Sequence, residues 1–182
     1  MNSVKNKIMK KSDGGFSIME VVIAIGILSV SFVTLASLFA FNMRMEMNSR
    51  NKIIASYLAQ EAIEVIRQTR DNNWSNNASN WDDDILYGDN IIIAMKDESS
   101  ILYGWDIING NAAKQKVYLY NDTYVQSSNV SINTGWKDTP FSRYLIIEDD
   151  VSAPTDAIKI TACVDYGSRE VQVTSYLYND WH

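Results

Sequence analysis

Residues 16–41 read FSIMEVVIAIGILSVSFVTLASLFAF, and this stretch decides the architecture. Residues 21–41 carry no charge over 21 positions. At ~1.5 Å rise per residue, about 20 helical residues cross the ~30 Å hydrocarbon core of a bilayer. The stretch therefore predicts one membrane-crossing helix. Upstream, residues 1–15 (MNSVKNKIMKKSDGG) hold Lys5, Lys7, Lys10 and Lys11 against one acid, Asp13. Lysines before the apolar run and none within it place the N-terminus on the cytoplasmic side, so the downstream body of the chain is exported.

Other membrane-directed segments fit less well. A secretory signal peptide has an apolar core of roughly 7–15 residues and then a small-x-small cleavage site. This run is longer, and Thr34-Leu35-Ala36 lies inside it. A lipoprotein needs a cysteine just after the run, and none is there. An uncleaved single-span anchor matches the length but leaves Glu20 unexplained. A carboxylate in an apolar helix costs about 2.5–3.5 kcal/mol near the bilayer centre and less near the interface.

Glu20 belongs to a pattern. Gly14-Gly15-Phe16-Ser17-Ile18-Met19-Glu20, behind a lysine-rich leader and ahead of the apolar run, resembles the processing signal of type IV prepilins. The resemblance implies that Gly15 is the last leader residue, that Phe16 becomes the new, N-methylated N-terminus, and that Glu20 is the fifth mature residue. It also implies a prepilin peptidase that makes the cut, an inner-membrane assembly platform, and a hetero-oligomeric filament of pilin subunits. Cleavage before Phe16 would leave an α-ammonium on an apolar helix. Pairing it with Glu20 of a neighbouring subunit would neutralise two charges as the subunit leaves the lipid and set the register between helices.

Beyond Phe41 the helical pattern continues. Residues 42–70 (NMRMEMNSRNKIIASYLAQEAIEVIRQTR) contain neither Gly nor Pro. Ile53, Ile54, Tyr57, Leu58, Ala62, Val65 and Ile66 form an apolar stripe at helical spacing. The helix is expected to stop at Asp71-Asn72-Asn73, with Glu64 and Gln68 spaced to pair across one turn. Residues 59–74 also resemble the helix end of PilV-like and pseudopilin-I-like minor pilins, as do residues 175–181 their closing strand. Glu61 and Glu64 are two carboxylates one turn apart, but no histidine accompanies them, so a catalytic pair is not expected.

The remainder predicts a β-rich head. Residues 72–84 read as a polar loop. Asp71, Asn73, Ser75, Asn77, Ser79 and Asp82 fall at calcium-loop spacing, with Asn76 where that loop demands Gly and Asp in place of the closing Glu. This is a weak metal candidate against a solvated loop. Strands are expected at 91–95, 101–108, 116–120, 143–148, 157–166 and 170–178, with loops over most of 109–140. The last two strands flank Gly167-Ser168, a two-residue turn with Gly first, of type II′. That register sets Val164 opposite Val171, Ala162 opposite Val173, Ile160 opposite Ser175 and Ile158 opposite Leu177 on one apolar face. Lys159–Tyr176, Thr161–Thr174 and Cys163–Gln172 fall on the other. One apolar face is what a sheet covering a single helix requires. Tyrosines 118, 120, 124, 176 and 178, with Trp181, are expected to pack the sheet or its rim.

Charge and composition narrow the function. Subtracting the +3 of residues 1–15 from the net −6 leaves −9 on the rest, which weighs against nucleic-acid binding by the body of the chain. Cys163 is the only cysteine and His182 the only histidine, so His- or Cys-based metal catalysis and nucleophilic triads are not expected, and no cofactor is called for. The expected fold is α+β: the type IV pilin-like lollipop, one long N-terminal helix on an antiparallel sheet of four to six strands. Its parts are a cleaved leader 1–15, an apolar half 16–41, an amphipathic half 42–71 and a head 72–182. The expected function is structural, that of a minor pilin made as a single-pass inner-membrane precursor and built into a cell-surface or periplasmic filament. A type II secretion pseudopilin is the alternative within this class. An uncleaved, membrane-anchored adhesin or receptor is the alternative outside it.

Overall fold

The computed structural model describes residues 15, 17–76, 80–95, 105–111, 115–127, 135–150 and 156–179. The chain divides into two compact units, Met1–Met47 and Asn48–His182. A single helix, α1 (Ile18–Ser75), supplies the described part of the first almost entirely and opens the second. Its run without Gly or Pro after Gly26 explains why nothing interrupts it. In the first unit every described residue is exposed. This stretch contains a helix long and apolar enough to cross a membrane.

The second unit packs residues of α1 against an antiparallel sheet. Seven strands are present among the described residues: β1 (Gly88–Met95), β2 (Trp105–Asn109), β3 (Lys116–Tyr120), β4 (Thr123–Val125), β5 (Lys137–Asp149), β6 (Ala157–Tyr166) and β7 (Arg169–Tyr178). The long strand β5 organises them. Along one side it pairs with β6 from Phe141 to Asp149, and β7 lies outside β6. Along the other, β3 flanks its beginning and β1 its end, with β4 outside β3 and β2 outside β1. The sheet thus forks about β5.

Alternation explains the core. Phe141, Arg143, Leu145 and Ile147 of β5 are buried, as are Ile158, Ile160, Ala162 and Val164 of β6. A period of two sends each set to one face. Their apolar members meet Ala55, Leu58, Ala59, Ala62, Ile63, Val65 and Ile66 of α1 in one core. Of the expected stripe, Leu58, Ala62, Val65 and Ile66 are buried and Ile54 packs against the core. Ile53 and Tyr57 are exposed, and Ala55 and Ala59 are buried in their stead, because small side chains let a helix backbone approach the sheet.

The β6–β7 hairpin has the expected register at all seven pairs, from Ile158↔Leu177 to Val164↔Val171. Gly167 holds φ at 64°, as the first position of a type II′ turn requires. Other expectations are corrected. Among the described residues the sheet has seven strands rather than four to six: the three-residue β4 was not expected, and β5 starts at Lys137, six residues before the expected 143. Pro140 stands within this added stretch of strand. It is tolerated because its missing N–H coincides with the register shift between β3 and β5 and precedes the first β5–β6 pair, Phe141↔Tyr166. Strand β1 begins at Gly88, three residues early, and β2 covers Trp105–Asn109, while 101–104 of the expected strand fall outside the described residues.

The helix also runs on to Ser75, past the expected stop. The Arg70 guanidinium lies over the Trp74 ring at 4.4 Å, one turn along, and this contact ties down the last turn. Glu64 pairs with Arg67 at 2.5 Å, not with Gln68. Cys163 is corrected most clearly. It shares the outer face with Lys159 and Thr161 but is 0% exposed. Tyr144, opposite it on β5, donates its hydroxyl to Glu170 at 3.1 Å, and burial pushes the Cys163 thiol up to about 11. Of the expected aromatic packing, Tyr118 and Tyr120 lie 5.6 and 5.9 Å from Trp136, and Tyr124 meets Phe141 edge-on. Tyr176 and Tyr178 remain exposed, and Trp181 lies outside the described residues.

Candidate functional site: a bare apolar helix and a buried arginine

The helix start is built locally. Ser17 precedes the first helical residue, and its carbonyl accepts from the N–H groups of Glu20 at 3.0 Å and Val21 at 3.2 Å. Serine suits the position before a helix, and an acid in the first turn suits the positive end of the helix dipole. Ser17 and Glu20 also stand at capping-box spacing, so Glu20 has a structural place at the helix start besides any other role. Gly15 is exposed and outside regular structure, and Phe16 lies outside the described residues.

From Val21 to Phe41 the helix is apolar on all sides and exposed on all sides. Its polar groups are silenced from within. Ser29, Ser31, Thr34 and Ser37 each donate their hydroxyl to the carbonyl four residues back, at 2.7–2.9 Å. Such back-bonding lets hydroxyls sit in an apolar medium at little cost. What remains is a cylinder of hydrocarbon with one carboxylate, Glu20, in its first turn.

A second polar feature lies in the core of the Asn48–His182 unit. Arg143 occupies an inward position of β5 between Phe141 and Leu145 and is 0% exposed. Its Nη1 donates to the Leu58 carbonyl at 3.1 Å and to Glu61 Oε2 at 2.7 Å, and its Nε donates to Gln126 Oε1 at 2.8 Å. Gln126 in turn donates to the carbonyls of Gln115 and Arg143. Burial pulls the guanidinium below its usual range, and Glu61 pulls it back up. A charged group at a core position of an alternating strand was the available signal for this network. The sequence had placed Glu61 only beside Glu64. Each of the two carboxylates instead takes its own arginine, Arg143 and Arg67.

Above this network lies a groove of about 670 Å³ between the helix, at Ile54, Tyr57, Leu58 and Glu61, and Thr123 and Tyr124 of β4. The residues at calcium-loop spacing do not converge. Asp71, Asn73 and Ser75 lie in the last turns of α1, where two residues rotate a side chain by about 200°. Asp71 pairs with Arg70, Asn73 donates its amide to the carbonyls of Trp81 and Asp83, and Asp82 accepts from the Tyr87 hydroxyl at 2.7 Å. Asn77 and Ser79 lie outside the described residues. Among the described residues, Asp71, Asn73 and Ser75 therefore lie on a helix and not on a loop.

No family model, curated protein or solved structure matches the chain.

Proposed function

We propose that the chain is a minor subunit of a type IV pilin-like filament, made as a single-span membrane precursor and cut between Gly15 and Phe16. One observation carries this reading: a wholly exposed apolar helix with a single carboxylate, Glu20, in its first turn, directly after Gly15-Phe16. A helix so apolar must be covered by lipid or by other helices. Lipid favours no carboxylate in it, whereas a bundle of cleaved subunits offers Glu20 the α-ammonium of its neighbour. The β-rich unit is then the part displayed outside the membrane. This reading needs no catalytic group from the chain, which is the substrate of a peptidase.

Intact mass and N-terminal sequencing of the protein from the membranes of the cells that make it test the proposal. The expected mature chain starts at Phe16, with one added methyl group. Gly15→Leu blocks the cut. Glu20→Gln keeps the helix-start spacing but removes the charge, so the chain is cut normally and fails to enter filaments. A chain that keeps residues 1–15 beside an active prepilin peptidase refutes the proposal and favours the anchored adhesin or receptor.

A further inference from the structure

Among the described residues the sheet ends in three edge strands, β2, β4 and β7, and they are not alike. Strand β4 is three residues long and β2 is five. Strand β7 runs for ten residues and pairs only with β6. Proteins blunt such edges with short strands, lysine, proline or a bulge. Strand β7 has no lysine and no proline, and its pairing with β6 runs from Ala157↔Tyr178 to Tyr166↔Arg169 without a shift. The register shows which backbone groups are left over. Across the two-residue turn Tyr166 and Arg169 form the first bonded pair, and bonded pairs recur at every second residue. Arg169, Val171, Val173, Ser175 and Leu177 therefore bond β6. Glu170, Gln172, Thr174, Tyr176 and Tyr178 turn their N–H and carbonyl groups to the free edge, and all five residues are exposed. Charge marks one end of this edge. Glu170 lies directly opposite Asp165. It accepts from Tyr144 and Gln172, but neither acid has an ion pair among the described residues.

We infer that β7 receives an extended segment of a different chain as an added antiparallel strand, with apolar side chains at alternate positions and a lysine or arginine opposite Glu170. Strand addition satisfies the free backbone groups, and pockets or charges at alternate side chains select the segment. The antiparallel direction continues the pairing of every neighbour in this sheet. Residues of the segment opposite Val171, Val173 and Leu177 extend the face on which these three pack against the core. The cation answers the two acids beside the turn, where like charges face each other. A second copy of β7 fits less well. The overlap that pairs all five free residues centres on Thr174 and sets Tyr178 of the copy against Glu170, so no cation reaches the acids. This site goes beyond the filament reading and does not depend on it.

The test adds a synthetic peptide to the isotope-labelled full chain in detergent micelles and follows amide hydrogen exchange by NMR. The probe alternates threonine and valine and ends in lysine, and its valine nitrogens are methylated so that it cannot pair with itself. In the added strand its threonines bond β7 and its lysine meets Glu170. Exchange at Gln172, Thr174 and Tyr176 should slow, while Val171 and Val173, which already bond β6, stay as they were. The same peptide methylated on its threonine nitrogens should give no protection. Glu170→Gln should weaken binding of the lysine-ended peptide about threefold and leave that of a glutamine-ended one unchanged. The inference is overturned if neither peptide protects these amides, or if both do so equally. Equal binding of lysine- and glutamate-ended peptides also overturns it, since the acids then select nothing. Protection that grows with protein concentration in the absence of peptide would make a second copy the occupant instead.

Discussion

Two stretches of α1 have opposite relations between composition and burial. Residues 21–41 are the most apolar part of the chain, yet every one of them is exposed. Residues 48–75 carry seven charged side chains, yet Ala55, Leu58, Ala59, Ala62, Ile63, Val65 and Ile66 are buried. Apolar content marks what must be covered, and pattern decides who covers it. A stripe can be satisfied by one sheet, but a helix that is apolar all round needs surroundings on every side. The second stretch is completed by its own chain. The first is covered by nothing among the described residues, and by length and composition it is a helix that could cross a membrane.

The contrast is easiest to break at the core. Ile66 is fully buried against the sheet, so Ile66→Ala should destabilise the protein by about 2–5 kcal/mol. Ile27→Ala removes as much side chain from the first stretch, where it touches no core, and should leave the unfolding midpoint of the β-rich unit unchanged. Denaturant unfolding in detergent micelles, monitored by tryptophan fluorescence, compares the two. Equal effects would mean that the first stretch contributes to the core after all.

A smaller effect is expected at the polar centre of the second stretch. Glu61→Ala leaves the Arg143 guanidinium buried with its Leu58 and Gln126 partners but without a counter-charge. Removing one partner of a fully buried pair costs about 3–5 kcal/mol. The Glu61 side chain is 37% exposed, so water replaces part of the loss and about 1–3 kcal/mol is expected. Arg143→Met in the Glu61→Ala background should recover much of it, since no charge is then left unpaired. If the double variant is as unstable as the sum of the singles, the pair is not coupled and the geometry of this network is wrong.

These two regions were unequally legible. The apolar run, the helix through the 60s and the β6–β7 register could all be read from local patterns, because turn chemistry at Gly167-Ser168 and alternation on both sides agree. The buried helix face was legible in part: Leu58, Ala62, Val65 and Ile66 belong to the expected stripe, but Ala55 and Ala59 do not. Ala55 and Ala59 carry little hydrophobic signal, and their burial depends on how closely the backbone approaches the sheet. The first part of strand β5 was read as loop, and Pro140 is accommodated there only through the register shift beside β3. Cys163 was assigned to the right face, but Tyr144, which covers it, comes from a strand 19 residues earlier. The reading of the Gly15–Glu20 pattern rests on a resemblance rather than on the fold. The groove at Tyr57 depends on where the β3–β4 turn lies, and no local pattern announces that.

The smallest effect comes from the one place where the otherwise regular β6–β7 hairpin opposes like charges. Asp165 and Glu170 are direct cross-strand partners beside the turn. Burial, and then the charge of Glu170, push the Asp165 carboxyl above its usual range, and like charges directly opposite each other weaken a sheet. Linkage gives the sign. A carboxylate whose folded pKa is raised is penalised once it ionises, so its contribution is fully favourable below the unfolded value near about 3.9 and is lost as the pH rises through the folded value. Asp165→Asn removes that penalty. It should stabilise the protein by a few tenths of a kcal/mol at pH 7, since the site is half-exposed and screened, and by nothing at pH 3. The comparison of melting temperature at the two pH values checks it. A stabilisation that persists at pH 3 would assign the effect to the amide's own hydrogen bonds, and a loss of stability at pH 7 would show that Asp165 has a cationic partner that outweighs Glu170.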